Sequence, residues 1–182
     1  MKVCRVCKTQ FAPMQPMARV CSPFCALTFA RSVRAKAEKV AQVKDRRETK
    51  QKLDKLKSRS QWAREAQASF NAFIRARDAD QPCISCGRHH GGQYHAGHYL
   101  SVGARPELRF VESNVHKQCQ PCNTHLSGNA VLYRQALQDK LGAEVLAYLE
   151  GPHKPKKYTV DELTAIKAHY AAETKKLKEA QA

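Results

Sequence analysis

Long apolar runs are absent from this chain: no stretch of the 182 residues approaches the ~18 consecutive apolar positions that a membrane-spanning helix requires. The opening residues, Met1-Lys2-Val3-Cys4, carry no apolar core of the kind a secretory signal needs, so the expected compartment is a cytoplasm. Acid is also scarce. Sixteen Asp and Glu stand against 32 Lys and Arg, leaving a net charge of +16. An excess of that size points to a polyanionic partner, nucleic acid first. A soluble or ribosome-like basic protein is the plainer alternative. Gly and Pro are missing altogether between residues 31 and 59, which removes the usual means of turning the chain there.

No cysteine is left unpaired in the sequence. Cys4 and Cys7, Cys21 and Cys25, Cys83 and Cys86, and Cys119 and Cys122 form four close pairs. In a reducing compartment such pairs serve as metal ligands more often than as disulfides. Four thiolates hold one Zn²⁺ tetrahedrally, so eight cysteines imply two structural zinc ions, each clipping two distant segments together. Thiols must ionise to bind, so folding is expected to depend on the metal.

The chain divides into four parts. Residues 1–29 hold the first cysteine quartet, a short zinc knuckle in which Ser22-Pro23 reads as a helix cap with proline in the first turn. Residues 30–59 form a basic helical arm, with twelve Lys or Arg and four Asp or Glu between 31 and 59. Its sparse apolar positions (Val33, Val40, Val43, Leu53, Leu56) predict a solvated helix. It is read as an arm lying along phosphates through Arg31, Arg34, Lys44, Arg46, Arg47 and Lys50, or else as a spacer. Residues 60–150 open with Trp62, Ala66, Phe70, Phe73, Ile74 and Arg77 at helical spacing, a packing face rather than a base-stacking platform. They then carry the second quartet. Residues 151–182 comprise a basic loop and a last helix opened by the capping box Thr159-Val-Asp-Glu162, with Leu163, Ile166, Tyr170 and Leu177 on one face.

The chemistry is expected between residues 83 and 129. Cys83-Ile-Ser-Cys86 precedes Tyr94-His95-Ala-Gly-His98-Tyr99. Asn114-Val-His116 then leads to Cys119-Gln-Pro-Cys122-Asn123-Thr-His125. The apolar stretch Leu108-Arg-Phe-Val111 is read as the second of two short strands around a loop, and Asn129 as the cap of a helix bearing Leu132, Ala136 and Leu137. The order is strand, loop, strand, helix, with a zinc clip from start to end.

This run resembles the HNH, or ββα-metal, endonuclease motif, with His98, Asn114 and Asn123 at its three positions. The version ending in asparagine also resembles the junction-resolving endonuclease of T-even phages. From Ala96-Gly-His98-Tyr99 through Asn114-Val-His-Lys-Gln-Cys119 to Leu126-Ser-Gly-Asn129, and in its N-terminal quartet, the sequence looks like the NinG (Rap) family of phage recombination nucleases. The resemblance implies an α+β fold: a zinc-stapled ββα-metal core with long basic helices and an N-terminal knuckle. It implies metal-dependent hydrolysis of DNA at Holliday junctions and D-loops, in the host cytoplasm. His98 would take the proton from the attacking water. Asn114 would hold the loop between the strands, and Asn123 would bind a divalent cation, Mg²⁺ or Mn²⁺.

One departure stands out. Many members carry an acidic metal ligand just before the catalytic histidine, and here that position is Gly97. His95, on the same strand face by alternation, is the best substitute, and an imidazole there would shift metal preference from Mg²⁺ toward Mn²⁺, Ni²⁺ or Zn²⁺. Arg105 and Lys117 complete the expected phosphate contacts. His116 is read either as a phosphate contact or as packing beside the zinc; His125 turns away, and His89-His90 belongs to a loop. Branched or duplex DNA is the expected partner, with a homologous-recombination protein and a second copy of the chain as further candidates. Three functions compete: a structure-selective endonuclease, a non-catalytic zinc protein that binds branched DNA as a recombination mediator, and an HNH enzyme acting on ordinary duplex.

Overall fold

A computed structural model describes residues 1–180, and the chain falls into two compact units that divide between Lys57 and Ser58. In the first unit two short strands, β1 (Lys2–Val3) and β2 (Gln10–Phe11), pair antiparallel with Lys2 opposite Phe11. The turn between them is closed by Lys8, whose φ of 64° is left-handed and whose N–H donates to the Cys4 carbonyl at 3.1 Å. Ser22 then caps α1 (Pro23–Leu56), its hydroxyl accepting from the Cys25 N–H at 3.2 Å with Pro23 in the first turn. Across its 34 residues only Cys25 is buried, and Val33, Val40, Val43, Leu53 and Leu56 are exposed. The helix has no apolar face to bury, so its residues Lys39, Lys44 and Arg47 remain in solvent with the rest.

The helix ends sooner than the composition suggests. Lys57 turns extended, and Ser58 opens a fresh capping box in which its hydroxyl accepts from Gln61 N–H at 3.3 Å while Gln61 Oε1 accepts from Ser58 N–H at 2.6 Å. From there α2 (Arg59–Arg77) buries Trp62, Ala66, Phe70, Phe73 and Ile74. That stripe packs on Leu163 and Tyr170 of α5 (Val160–Ala180), with Phe110 and Val115 closing the core. Phe70 meets the rings of Phe110 and Tyr170 edge-on, with centroids 5.7 and 4.8 Å away. The Thr159 box opens α5: Thr159 N–H donates to Glu162 at 2.8 Å, and Glu162 N–H to Thr159 Oγ1 at 3.2 Å.

The sheet that carries the candidate site is a single antiparallel pair, β3 (Tyr94–His98) and β4 (Val115–Cys119). Its register places His95 opposite Gln118 and Gly97 opposite His116. The expectation of a strand over Leu108–Val111 is corrected. Pro106–Leu108 and Glu112–Asn114 are single 3₁₀ turns, and the strand lies just beyond them. Leu108 and Phe110 serve different cores, Leu108 joining Tyr133, Leu137, Leu146 and Leu149, Phe110 joining the α2–α5 core, so the segment cannot lie flat as a strand. All five residues of β4 are buried although the strand reads Val-His-Lys-Gln-Cys.

The Val115 carbonyl and the Lys117 N–H are met by partners at the end of α2. Asp78 accepts a two-pronged bond from Arg77 (2.8 and 2.9 Å) and a third from Lys117 N–H at 3.0 Å, and Arg77 also donates to the Val115 carbonyl at 2.9 Å. Burial pushes the Asp78 carboxyl up, yet the Arg77 fork and the Lys117 N–H hold it below the usual carboxylate range. Past β4, a π-helical turn (Pro121–His125) leads to α3 (Ala130–Leu141) and α4 (Ala143–Glu150). Asn129, expected to cap α3, stands at its head in a left-handed conformation (φ 47°) and makes no capping bond. Its side-chain amide donates instead to Cys122 Sγ at 3.6 Å. On α3 it is Tyr133 and Leu137 that are buried, while Leu132 is exposed.

Candidate functional site

Both cysteine quartets close on themselves. Cys4, Cys7, Cys21 and Cys25 form one cluster, Cys83, Cys86, Cys119 and Cys122 the other, with all four sulfurs of each within 4.8 Å of one another. The Cys7–Cys21, Cys21–Cys25 and Cys86–Cys119 sulfurs lie 3.5, 3.7 and 4.0 Å apart. Zn–S bonds of about 2.3 Å at tetrahedral angles require sulfurs about 3.8 Å apart, whereas a disulfide needs about 2.05 Å. Each tetrad therefore fits a metal ion such as zinc.

The two first pairs use one turn. Cys4 N–H donates to Thr9 and Lys8 N–H to Cys4, as Cys83 N–H donates to Arg88 and Gly87 N–H to Cys83. Lys8 and Gly87, each following its second cysteine, are both left-handed (φ 64° and 66°). The second tetrad has an outer layer as well: Cys119 N–H donates to Cys83 Sγ at 3.3 Å, and His90 Nε2 lies 3.2 Å from Cys86 Sγ. The spacing of His89 and His90 suits a loop and does not disclose that contact.

Beside this tetrad a cavity of about 680 Å³ is lined by His95, His98 and Asn123 together with Asn71 and Arg75. Three of the residues expected from sequence thus share one cavity. His95 and His98 stand on opposite faces of β3 by alternation, and a cavity along the edge of β3 that β4 leaves uncovered is reached by both. His98 Nε2 lies 3.0 Å from the Arg109 carbonyl oxygen. A carbonyl only accepts, so Nε2 carries the hydrogen and Nδ1 keeps the free lone pair. Burial lowers the His98 pKa below its ordinary value, more than the bond to Arg109 restores, so the ring is neutral near pH 7. Arg109 is itself latched to α2, donating to Gln67 at 2.8 Å and to the Ala63 carbonyl at 3.4 Å.

Asn114 is fully buried and lies away from the cavity wall. Its side chain accepts from Leu100 N–H at 2.9 Å and donates to the carbonyls of Leu100 (3.0 Å) and Leu108 (3.3 Å). It ties together both ends of the segment between the strands, which fixes the Arg109 carbonyl and through it the His98 ring.

Two expected phosphate contacts are spent inside the fold. Lys117 is buried, its ammonium donating to the Ala79 carbonyl at 2.6 Å and lying 4.3 Å over the Tyr94 ring. Arg105 donates to Glu107 and to the Gly151 carbonyl, each at 2.6 Å. The arm cations differ among themselves. Arg34 pairs with Glu38 at 2.9 Å and Lys44 with Glu48 at 3.9 Å, whereas among the described residues no carboxylate pairs with Arg31, Arg46, Arg47 or Lys50. His116 is no phosphate contact: it is buried, 3.4 Å from the Tyr133 hydroxyl, and burial pushes its pKa down to about 3. His125 is exposed on the π-helical turn. Sequence reasoning missed Arg75 and Asn71 in the cavity wall. They sit four apart on the polar side of α2, where an i, i+4 pair looks like any solvated face.

A mixed α+β chain whose hairpin is stapled by one four-cysteine cluster, with a second such cluster of its own at the N-terminus, is the class this fold and site define. The chain belongs to the NinG family: the model described as Bacteriophage Lambda NinG protein matches residues 1–180. It is 43% identical over 186 residues to the ninG protein of Escherichia phage 933W and to that of Salmonella phage P22, in each case covering 96% of this chain and 92% of the relative. The ninG protein of Escherichia phage lambda is 43% identical over 183 residues, covering 94% and 90%. No solved structure matches the chain. Among the described residues no helix is long and apolar enough to cross a membrane.

Proposed function

We propose that this protein is a structure-selective DNA endonuclease of the HNH, or ββα-metal, type, which cuts branched recombination intermediates such as Holliday junctions and D-loops. The observation that carries the reading is His98: a neutral imidazole at the cavity, its Nε2–H fixed on the Arg109 carbonyl and its Nδ1 left to accept a proton. Nδ1 takes the proton of the attacking water. His95 and Asn123 line the same cavity, and His95 Nε2 is buried with no protein group bonded to it, which leaves it available as a ligand. A divalent cation, Mg²⁺ or Mn²⁺, bound there would polarise the phosphate and steady the leaving oxygen. Arg75 offers a cation for the phosphate at the cavity wall, and Asn114 keeps His98 oriented from behind. The unpaired cations of α1 supply backbone contacts that position DNA without reading sequence, as a shape-selective enzyme requires. Symmetric cutting of a junction would need two copies of the chain.

A second reading, a zinc-stabilised protein that binds branched DNA without cutting it, is favoured by Gly97, which puts no carboxylate beside His98. The two part in a cleavage assay on a four-way junction and a linear duplex of the same sequence, with Mg²⁺, with Mn²⁺ and with neither. The expected outcome is metal-dependent cutting of the junction, reduced about 10²- to 10⁴-fold in His98→Ala while binding survives. Binding without cutting in any metal leaves the second reading, and equal cutting of both substrates leaves an HNH enzyme of ordinary duplex.

A further inference from the structure

The face of the sheet that bears Gly97 holds two buried polar atoms without partners: His95 Nε2 on β3 and Gln118 Oε1 on β4. The register sets His95 and Gln118 directly opposite each other, so their side chains leave the sheet on the same face. Gln118 is fully buried. The orientation of its amide is fixed, because Nε2 donates to the Gly128 carbonyl at 2.6 Å and to Ser85 Oγ at 2.7 Å, and a carbonyl cannot donate in return. Oε1 is therefore the atom turned toward Gly97. A Cβ built on Gly97 would collide with that oxygen and come within 3.0 Å of the Gln118 Cβ and Cδ. The space in which residue 97 would project a side chain is filled by the Gln118 carbonyl.

We propose that Gln118 supplies, through Oε1, an oxygen ligand to the divalent cation of this site, from the strand opposite the one that lacks an acid. The proposal rests on the cation site described above and adds a donor to it. The chemistry suits the set: a carboxamide oxygen is a hard, neutral donor, and although Gln118 is not itself part of the cavity wall, its amide is bonded to Gly128, which is, so Oε1 would join His95 Nε2 and the Asn123 side chain from behind that wall. Ser85 and Gly128 act as the outer layer that aims the oxygen, as the partners of metal-bound groups commonly do. A neutral ligand set in place of a carboxylate leaves more of the cation's charge for the phosphate, at the expense of affinity for the free ion.

The test is Mn²⁺ binding to the zinc-loaded full-length protein, followed by the electron paramagnetic resonance of free Mn²⁺, with zinc content and circular dichroism confirming the fold of every variant. Gln118→Ala is expected to weaken Mn²⁺ by about tenfold or more, as the removal of groups around a bound metal does. Gly97→Ala is expected to weaken it too, since its new Cβ displaces an oxygen that is chemically intact. In the double variant Gly97→Asp with Gln118→Ala, a carboxylate enters the space left by the amide, and Mn²⁺ affinity is expected to return to the wild-type level or above. A role confined to packing predicts no such rescue. Wild-type affinity in Gln118→Ala, alongside a loss in His95→Ala, overturns the assignment of Gln118 and leaves its oxygen to a buried water. Wild-type affinity in His95→Ala as well overturns the cation site itself.

Discussion

The same cysteine turn occurs twice in this molecule, once in each unit, and the two settings differ in everything around it. In the second unit the turn from Cys83 to Gly87 is surrounded by apolar cores on α2, α3, α4 and α5, and the sulfurs of its tetrad have further partners: Cys119 N–H donates to Cys83, His90 lies against Cys86, and the Asn129 amide donates to Cys122. In the first unit the turn from Cys4 to Lys8 is backed by a hairpin of two-residue strands and by a helix that buries Cys25 alone. One tetrad staples a domain that has a core of its own. The other, with a metal bound, would take the place of a core, as metal does in domains too small to bury enough apolar surface.

The largest effect expected from this contrast follows loss of a ligand. Cys4→Ser should abolish the fold of the N-terminal knuckle, because structural zinc contributes on the order of 10 kcal/mol to such small units. Hydrogen exchange should show the amides of Cys4, Lys8 and Cys25 unprotected while those of β3, β4 and α2 keep their protection. Equal loss of protection in both units would break the contrast.

Acid separates the units by a smaller margin. His116 in the second unit has its pKa pushed down from 6.5 to about 3, first by burial and then by the nearby charges of Arg77 and Lys140. The neutral ring is the folded form, so its contribution is whole above pH 6.5 and is lost as pH falls from there toward 3. About 2 kcal/mol should be gone by pH 5. Urea unfolding of His116→Gln against wild type measures it: the wild type should lose that much more between pH 7 and pH 5, and protonation of the cysteines, common to both, cancels in the difference.

The smallest effect lies in the turns themselves. Lys8 holds a left-handed backbone that Gly87 adopts without strain. Lys8→Gly should stabilise the knuckle by up to about 1 kcal/mol, and Gly87→Ala should destabilise the second tetrad by a similar amount although its Cβ meets nothing within 4 Å. Zinc competition with a chelator reads both, the first variant releasing metal later and the second sooner.

What the sequence discloses follows the range of the forces involved. The caps at Ser22-Pro23 and Thr159–Glu162 are readable because donor and acceptor lie three residues apart. The Ser58–Gln61 box obeys the same rule, yet it sits inside a run with no Gly or Pro, and the run hides the break. The buried stripe of α2 is legible from its period. By contrast β4 is opaque. Its Lys117 and Gln118 are buried because Asp78, Ala79, Ser85 and Gly128, all distant in sequence, supply their partners. Leu108–Val111 misleads for the opposite reason: four residues with an apolar cast suit a short strand and a buried turn equally. The cysteine pairs could be picked out by residue type and spacing, and His95, His98 and Asn123 through the motif this segment resembles, but that His98 is held by the Arg109 carbonyl, 11 positions on, depends on a loop fastened to α2.

The collision between a Cβ at 97 and the Gln118 carbonyl also reaches beyond this one chain. Position 97 cannot drift alone. A relative that acquires any side chain at 97 must shed or shorten the residue at 118, and one that loses the glutamine gains the freedom to leave glycine. In the descent of the family the two sites are bound to change as a pair, and lineages with an acid at 97 are expected to carry a small residue opposite it.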